Sequence, residues 1–458
     1  MKLSFLHKWA CGLAVVAAGT TAPDARESAA LATAASYQGW RTLCLANNLI
    51  ELQVLPDIGG RIIQFKLGTK AFLWVNPLLA GKLPPASGLA EDGGWFNIGG
   101  DKLWPAPQGW DNAQQWPGPP DAVLDGQPYQ LEQLPARPGE TAIRLTSRND
   151  PRSGIRLSRV VRIFANSTRV NFEATMENID NKPRRWGIWA HTQLDGAKAD
   201  HSGHNPLMQA WCPLHPQSKF PAGYKVIFGA KNNPSFQPDA ARGLMRVQYQ
   251  YKVGKIGIDS PAGWAATVNG ENGAVLVQRF VFEPNKKYPD DSSVEFWLNG
   301  VGRIHAYNKD LEMATNAAAN PYVFESELLS PFAQLEPGQS YTWRYDWYAT
   351  NIGGDFPVLD CAASGVVAQP LRAETDGSQT RLTGRFGVFA PGSLRVEFAD
   401  ARDVLLATRD LQLEVSPLHP LVLDTRVAVP ANAASVKLLW RGTDGKSHGQ
   451  LAMADLHL

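Results

Sequence analysis

The chain has 458 residues, a formal net charge of +1 at neutral pH, and 19% charged against 44% hydrophobic residues. A chain of this length is expected to form two domains, and its hydrophobic share provides for a sizeable core. Because the net charge is close to zero and no basic run or acidic tail occurs, the composition excludes an electrostatic surface for nucleic acid or for an acidic membrane.

Residues 1–22 have the pattern of a secretory signal peptide. Lys2 and Lys8 supply positive charge, an apolar stretch covers residues 9–18, and small residues suited to cleavage follow near Ala18 or Ala22. The stretch is too short to span a bilayer, and no later segment resembles a membrane helix. We therefore expect an exported protein, periplasmic or extracellular, without a membrane span.

Three cysteines remain once the signal peptide is removed, namely Cys44, Cys212 and Cys361. Their odd number and wide spacing match neither a disulfide framework nor a metal-binding motif. An oxidising compartment permits one bridge among them, and the sequence leaves the pair open.

Short runs of β-branched and aromatic residues between turn residues indicate an all-β protein. Val170, Phe172 and Ala174 alternate with polar residues, which is the period of a strand with one buried face. The Gly- and Pro-rich residues 76–140 and 195–240 are predicted to be long loops. Strands are predicted at residues 49–55, 61–67, 141–146, 157–164, 169–176, 186–191, 245–253, 274–282, 293–297 and 341–349.

The composition changes near residue 355, after a Gly-Gly-Asp-Phe-Pro link at residues 353–357. Beyond it Trp440 is the only tryptophan, and closely spaced turn residues are typical of a small β-sandwich. We predict a first domain at residues 40–354 and a sandwich domain at residues 356–458, whose partner the sequence does not identify. Strands of the second domain are predicted at residues 379–386, 393–398, 411–415, 421–427 and 435–440.

Residues 95–107, Trp-Phe-Asn-Ile-Gly-Gly-Asp-Lys-Leu-Trp-Pro-Ala-Pro, combine aromatic, charged and glycine residues in one predicted loop. Glycine lets a backbone approach a ligand closely, tryptophan offers a flat apolar face with one donor, and Asp and Lys add directional contacts. Such a mixture suits a saccharide, with burial of the tryptophans in a core as the alternative. The candidate ligand contacts are Trp95, Asn97, Asp101, Lys102 and Trp104.

Two ionisable positions have a strand context. His191 ends an apolar strand and begins a polar loop, where a rigid element can hold a reactive side chain that titrates near neutral pH. Glu325 and Glu327 would share one face of a strand, and neighbouring carboxylates raise one pKa towards neutral. The alternatives are a histidine that bonds to backbone and a solvated or ion-paired acidic face.

A third group, Asp200, His201 and His204, contains residue types that bind metals. Its spacing matches none of the zinc patterns, so no metal site is predicted. The sequence also lacks a nucleophile elbow, a phosphate loop and a dinucleotide fingerprint, and we expect no cofactor.

Residues 45–350 resemble the galactose mutarotase-like proteins, which comprise the aldose 1-epimerases and uncharacterised secreted bacterial relatives. The similarity is carried by residues 58–65 with 72–75, by residues 182–196, and by residues 324–327 followed by the turn at 335–341. The Gly-Gly-Asp-Lys-Leu-Trp-Pro-Ala-Pro segment is most similar to one uncharacterised bacterial family. The resemblance implies an antiparallel supersandwich with a sugar-sized groove on one sheet, followed here by the small C-terminal β-sandwich.

The resemblance also implies catalytic roles. Glu325 would remove the proton of the anomeric hydroxyl and His191 would protonate the ring oxygen, so that the ring opens and closes as the other anomer without a cofactor. The sequence departs from the family at Glu327, where a glutamine is usual, and in having no histidine between His7 and His191. We therefore expect altered substrate binding. Further predicted saccharide contacts are Arg61, Gln193 and Glu327.

Three functions are compatible with these residues. The first is an aldose 1-epimerase-like enzyme that uses the histidine–glutamate pair, and the second is a saccharide-binding protein without catalysis. The third is a polysaccharide-cleaving enzyme that uses Asp101 and Glu325 as a carboxylate pair. The second function would depend on Trp95, Trp104, Trp110 and Lys102.

Overall fold

The computed structural model describes residues 30–443 and 447–456, so the signal peptide predicted at residues 1–22 lies outside the described residues. Where the chain is described, antiparallel strands account for nearly all regular structure, which confirms the predicted all-β class. In the same residues no helix has the length and apolar character needed to cross a membrane.

The strands of the larger unit occupy most of residues 31–351, with one π turn at Ala122–Gly126 and one 3-10 turn at Pro289–Asp291. They are β1 Leu31–Tyr37, β2 Trp40–Ala46, β3 Ile50–Leu55, β4 Arg61–Leu67, β5 Lys70–Ala71, β6 Asp101–Ala106, β7 Gln130–Leu134, β8 Glu140–Thr146, β9 Ile155–Phe164, β10 Val170–Asn178, β11 Arg184–Asp195, β12 Met208–Pro213, β13 Lys225–Gly229, β14 Phe236–Asp239, β15 Leu244–Gln248, β16 Gly254–Ile258, β17 Trp264–Asn269, β18 Ala274–Phe280, β19 Val294–Leu298, β20 Gly302–Ala306, β21 Lys309–Met313, β22 Val323–Leu329, β23 Ala333–Leu335 and β24 Ser340–Asn351.

Two large antiparallel sheets are stacked face to face, as the supersandwich prediction requires. The first, 12-stranded, has the order β1-β2-β3-β4-β6-β11-β22-β19-β16-β13, with β5 on β4 and β23 on β11. The second, 10-stranded, has the order β14-β15-β12-β17-β18-β24-β10-β9-β8-β7. Between them Phe65 of the first sheet contacts Trp347 of the second at 5.6 Å between ring centroids. Apolar burial between the sheets is the main source of stability.

The alternation of residues along each strand determines which side chains point into this core. Along β9, buried and half-buried residues alternate without exception, and β9 pairs with β10 so that Ile163 lies opposite Val170. The buried positions of β9 therefore point to the core; they are apolar except for Arg159, which enters the core as a charged side chain. The strand predicted at residues 169–176 is observed as β10.

The segment at residues 95–107 is not the loop that was predicted. Residues 101–106 form β6, which lies between β4 and β11 in the first sheet. Gly99 and Gly100 have φ of +94° and +77°, and a Cβ on them would lie 2.1 Å and 2.5 Å from the backbone oxygens of Trp74 and Ile62. Both glycines thus permit a close approach of the protein's own backbone, not of a ligand.

Residues 360–455 form two four-stranded sheets with a separate apolar cluster that contains Phe386, Phe398 and Leu438. Their strands are β25 Asp360–Cys361, β26 Gly365–Asp376, β27 Gln379–Val388, β28 Gly392–Ala399, β29 Leu405–Val415, β30 Leu421–Ala428, β31 Ser435–Gly442 and β32 Ser447–Asp455. The sheet orders are β25-β26-β27-β30 and β29-β28-β31-β32.

The C-terminal sheets pack on the outer face of the second large sheet. Tyr348 of β24 contacts Phe389 at 4.4 Å between ring centroids, within a buried cluster that includes residues of both units. Cys44, Cys212 and Cys361 are all free thiols. The bridge that an oxidising compartment would permit is therefore not formed among these three cysteines.

Candidate functional site

A cavity of about 310 Å³ opens on the outer face of the first large sheet, on the opposite side of the sandwich from the C-terminal sheets. Neighbouring strands β11 and β22 form the middle of its floor. His191 lies opposite Glu327, and Gln193 lies opposite Glu325, in the register of this pair. Since side chains alternate along a strand, these four residues share the face that lines the cavity.

The structure brings the predicted histidine and glutamate into direct contact. Nε2 of His191 lies 3.0 Å from Oε2 of Glu325, and the two residues are only 2% and 8% exposed. Gln193 donates from Nε2 to Oε1 of Glu325 over 2.7 Å, and the His191 ring lies against Trp104 at 4.2 Å between centroids. One face of the imidazole and one oxygen of the carboxylate are thereby held in place.

Burial shifts the two groups in opposite senses. Burial, reinforced by the charge of Lys102, lowers the pKa of His191 well below 6.5. Burial raises the pKa of Glu325 above 4.5, opposed by the charge of Lys102 and by the hydrogen bond from Gln193. Both shifts favour the uncharged form of each group, in which the Glu325 carboxyl can donate a hydrogen bond to Nε2 of His191.

Glu327 belongs to a buried ion-pair network beside this pair. Lys255 places Nζ 2.8 Å from an oxygen of Glu327 and 2.8 Å from an oxygen of Glu295, and Trp189 donates to Glu327 over 2.7 Å. Burial would lower the pKa of Lys255, but the two carboxylates outweigh it and raise the pKa. Burial raises the pKa of Glu295 to about 8, although Lys255 opposes the shift.

Lys102 lies on the cavity face of β6, opposite His191 in register, but it is fully buried behind the lining residues and reaches Glu325 through Gln193. Its Nζ donates to Oε1 of Gln193 over 2.7 Å and lies 5.0 Å from the ring centroid of Trp104. Burial, together with the charge of Arg61, lowers the pKa of Lys102 to about 7. Lys102 therefore acts on the charge balance of the site without lining it.

Two tryptophans of the cavity wall are anchored by one buried carboxylate. Asp125 accepts hydrogen bonds from the indole nitrogens of Trp95 and Trp104 and forms a 2.7 Å ion pair with Arg61. Arg61 also donates to the backbone oxygen of Gly99 over 2.8 Å. Arg61 was predicted to contact the ligand. It is instead buried behind the two tryptophans, where it holds Asp125 in place.

Asp101 points away from the cavity into the core between the two sheets. It forms an ion pair with Arg159 of the second sheet and accepts a hydrogen bond from Thr192 over 2.9 Å. Because Asp101 and Glu325 lie on opposite faces of the first sheet, they do not form the carboxylate pair of the polysaccharide-cleaving hypothesis. The predicted ligand contact of Asp101 is corrected to a buried link between sheets.

The predicted site residues thus divide into two groups. Arg61, Asp101 and Lys102 are buried and do not line the cavity. The others line it, namely Trp95, Asn97, Trp104, His191, Gln193, Glu325 and Glu327.

The sequence did not identify several residues of the site, including residues on β16 and β19, or the hairpin formed by β20 and β21. Residues 303–306 and 310–313 alternate polar and apolar around Tyr307 and Asn308, a signal that could have predicted the hairpin. The charged residues of β16 and β19 carried no such signal, because their partners lie far away in sequence. The residues missed are Asp125, Trp189, Lys255, Glu295 and Trp297.

The floor also contains donor atoms that could hold a metal ion. Within the described chain His191, Glu325 and Glu327 place ligand-type atoms within 4.8 Å of one another, whereas the histidines of the loop at residues 200–204 form no such group. However, the ammonium of Lys255 already balances charge at Glu327, and His191 and Glu325 already form a hydrogen bond with each other. These contacts are compatible with proton transfer without a metal. The absence of a metal remains a prediction.

Comparison with known proteins places most of the larger unit in one family. The model described as "Domain of unknown function (DUF4380)" matches residues 41–350. No curated protein matches the chain.

Solved structures similar to this one have low identity to it. A TPR-domain containing protein from Parabacteroides distasonis is 15% identical with a TM-score of 0.44, over 71% of this chain and 49% of that protein, so the chain spans about half its length. A galactose mutarotase-like protein from Clostridium acetobutylicum is 8% identical with a TM-score of 0.43, over 70% and 99% of the chains. One from Lactobacillus casei is 8% identical with a TM-score of 0.40, over 67% and 99%.

Proposed function

The chain belongs to the family with the DUF4380 domain of unknown function, and we propose that it binds a neutral saccharide and interconverts the two anomers of its reducing sugar. One observation carries this proposal. His191 and Glu325, 3.0 Å apart, lie on the floor of a cavity walled by tryptophans. Tryptophan faces suit the C–H faces of a sugar, and the paired groups suit proton transfer.

Anomer exchange needs an acid and a base at two oxygens that are bonded to the same carbon. The base takes the proton of the anomeric hydroxyl and the acid protonates the ring oxygen, so that the bond between the anomeric carbon and the ring oxygen breaks while a carbonyl forms. Rotation about the adjacent carbon–carbon bond and reversal of both proton transfers give the other anomer. His191 and Glu325 are 3.0 Å apart, so each can reach one of these two oxygens when the sugar replaces the hydrogen bond between them.

The pKa directions assign the two roles. Burial lowers the pKa of His191 and raises that of Glu325, so both shifts favour a neutral imidazole beside a carboxylic acid. His191 then acts as the base at the anomeric hydroxyl and Glu325 as the acid at the ring oxygen. This assignment is the reverse of the one implied by the family resemblance.

The charge balance of the cavity favours an uncharged ligand. Lys255 is the only cationic side chain that lines it among the described residues, and two carboxylates already bind this ammonium. A phosphate, sulfate or carboxylate group on the sugar would meet Glu325 and Glu327 without a free cation to offset them. Asn97 and Gln193 add neutral polar groups to the lining.

The test is anomer exchange followed by NMR. Purified α-anomers of common hexoses are mixed with the full chain, and the appearance of the β-anomer is compared with the uncatalysed rate. We expect acceleration that His191→Gln and Glu325→Gln each reduce by at least about 100-fold, the usual scale of general acid–base catalysis. His419→Gln and Glu312→Gln, the same changes at exposed positions, are the matched controls.

The outcomes separate the candidate functions. Saccharide binding by calorimetry without acceleration would make the protein a non-catalytic binding protein. Loss of acceleration on treatment with a chelator, and its return with a divalent metal, would show that the floor holds an ion. No binding to any member of a broad glycan panel would refute both the catalytic and the binding proposal.

A further inference from the structure

A hairpin covers part of the cavity and belongs to neither large sheet. Strands β20 and β21 pair only with each other, and both residues of the Tyr307–Asn308 turn have positive φ, 54° and 56°. The hairpin is attached across the cavity mouth where Tyr307 donates to the backbone oxygen of Pro119 over 2.9 Å and Asn308 donates to that of Trp110 over 3.2 Å. The turn geometry is the one that tight two-residue hairpins prefer.

The hairpin turns its apolar side towards the cavity and its charged side to solvent. Ile304 and Leu311 are cross-strand partners that line the cavity, whereas Arg303 and Glu312 are an exposed pair on the other side. The apolar residues pack in one cluster with aromatic residues from three other segments. This outer chamber, as we name it, is lined by Trp110, Phe228, Trp297, Ile304, Ala306, Tyr307, Leu311 and Met313.

Several polar donors around the outer chamber are already used within the protein. The indole nitrogen of Trp110 donates to the backbone oxygen of Pro117 over 2.9 Å, and Tyr307 donates to Pro119. Gln108 and Asn299 at the edges donate to backbone oxygens over 2.7 Å and 2.8 Å. A hydroxyl-rich group placed here would leave hydrogen bonds unmade, which is costly when the group is buried.

We propose that the outer chamber receives an apolar substituent, an acyl or aryl group, attached to the saccharide away from its anomeric carbon. The proposal rests on the saccharide function of the floor, where the sugar ring lies against His191 and Glu325. The outer chamber then contacts the substituent on the sugar ring. No charged side chain lines the chamber. The substrate class is therefore a neutral reducing sugar that bears an apolar group.

The chamber excludes the two commonest alternatives by its chemistry. A second sugar ring needs partners for several hydroxyls, and the aliphatic side chains of Ile304, Leu311 and Met313 supply none. An anionic group needs a cation, and the only one that lines the cavity among described residues is Lys255, which is paired on the floor. An apolar group loses nothing on entry and gains by leaving water.

The experiment compares four ligands that share one ring: glucose, 6-O-benzoylglucose, maltose and glucose 6-phosphate. Binding is measured by calorimetry on the full chain with Glu325→Gln, so that it does not depend on turnover. We expect the benzoyl ester to bind at least about tenfold more tightly than glucose, the scale for burying one aromatic group. Maltose and glucose 6-phosphate should gain no such factor. The same comparison with galactose and its benzoyl ester shows whether the preference depends on which hexose is used.

Variants of the hairpin test the location. Leu311→Asn and, separately, Met313→Asn should remove most of the benzoyl preference and leave glucose binding unchanged, whereas Glu312→Gln, the exposed residue between them, should keep it. An unchanged melting temperature shows that the variants fold. Equal binding of the benzoyl ester and its parent, or a preference that survives both variants, would overturn the proposal.

The result also distinguishes the proposed catalysis from the proposed apolar chamber. Tight benzoyl-dependent binding by a chain that does not accelerate anomer exchange would retain the chamber and reject catalysis. Acceleration with free hexoses but without a benzoyl preference would retain catalysis and reject the chamber. A tenfold preference for maltose would reassign the chamber to a second sugar ring.

Discussion

Lys255→Met is the substitution with the sharpest consequence for stability. It removes the ammonium that lies 2.8 Å from both Glu295 and Glu327, in a position where its own side chain is 5% exposed and the glutamate side chains are 2% and 0% exposed. Methionine has a similar length and apolar surface, so packing is largely kept. The change therefore isolates the loss of charge.

The expected magnitude follows from the burial of the partners. Breaking a buried ion pair by removing one member costs about 3–5 kcal/mol, because the remaining charge has no partner. For a large domain about 1 kcal/mol lowers the melting temperature by about 2 °C, so we expect a decrease of about 6–10 °C near pH 8. Lys66→Met is the matched control. Its ion pair with Glu51 has side chains that are 27% and 34% exposed, and it should cost less than about 1 kcal/mol.

The pKa of Glu295 determines how the stability loss in Lys255→Met changes with pH. The pKa of Glu295 is about 8 in the folded chain against 4.5 for an ordinary glutamate. An acid whose pKa is raised by folding stabilises the fold below its unfolded pKa, and that contribution is lost as the pH rises through the folded value. Without Lys255 the pKa of Glu295 rises further. The stability difference between the variant and the wild type should therefore grow as the pH rises from 5 to 9.

Scanning calorimetry from pH 5 to pH 9 measures both effects. At pH 9, adding Glu295→Gln to Lys255→Met should recover part of the lost stability, because a buried carboxyl that ionises in the unfolded chain at that pH is removed. A decrease no larger than that of Lys66→Met, or one of equal size at pH 5 and pH 9, would refute the view that Lys255 serves to balance buried carboxylates.

Three further predictions concern other parts of the chain. Lys102→Met should shift the alkaline limb of the anomer-exchange pH profile upward, because the charge of Lys102 opposes the raised pKa of Glu325; an unshifted profile would contradict this. Gly99→Ala, where a Cβ would meet a backbone oxygen at 2.1 Å, should cost at least about 1–3 kcal/mol in denaturant unfolding, and more than Gly93→Ala, which meets nothing within 4 Å. Mass spectrometry of the protein secreted by a bacterial host should show that residues 1–22 are removed near Ala18 or Ala22, and an intact N-terminus would rule out export by this signal.

Local pattern was sufficient to predict the fold class and much of the strand layout. Strands at residues 61–67 and 274–280 lie where alternation or apolar runs predict them. The spacing of Glu325 and Glu327 predicted that they share a face, and both line the cavity. These inferences succeed because strand periodicity is a property of the local chain.

Predictions that depended on the partners of a side chain were less accurate. Asp101 and Lys102 are adjacent, and composition alone indicates ligand contacts for both. The structure directs Asp101 to Arg159 in the core and Lys102 to Gln193 on the cavity face, where Lys102 is buried behind the lining residues. A one-residue step along a strand reverses the face, and only the pairing of β6 with its neighbours shows which face is inside.

The sequence by itself therefore determined an all-β chain, its alternating strands and the residue types that the cavity would need. Only the tertiary structure decided that His191 meets Glu325 across two strands separated by more than a hundred residues, and that Lys255 completes the floor from a third. The physical reason is that alternation and turn chemistry act between neighbours in the chain, whereas contact, burial and charge balance depend on which strands lie side by side in the folded sheet.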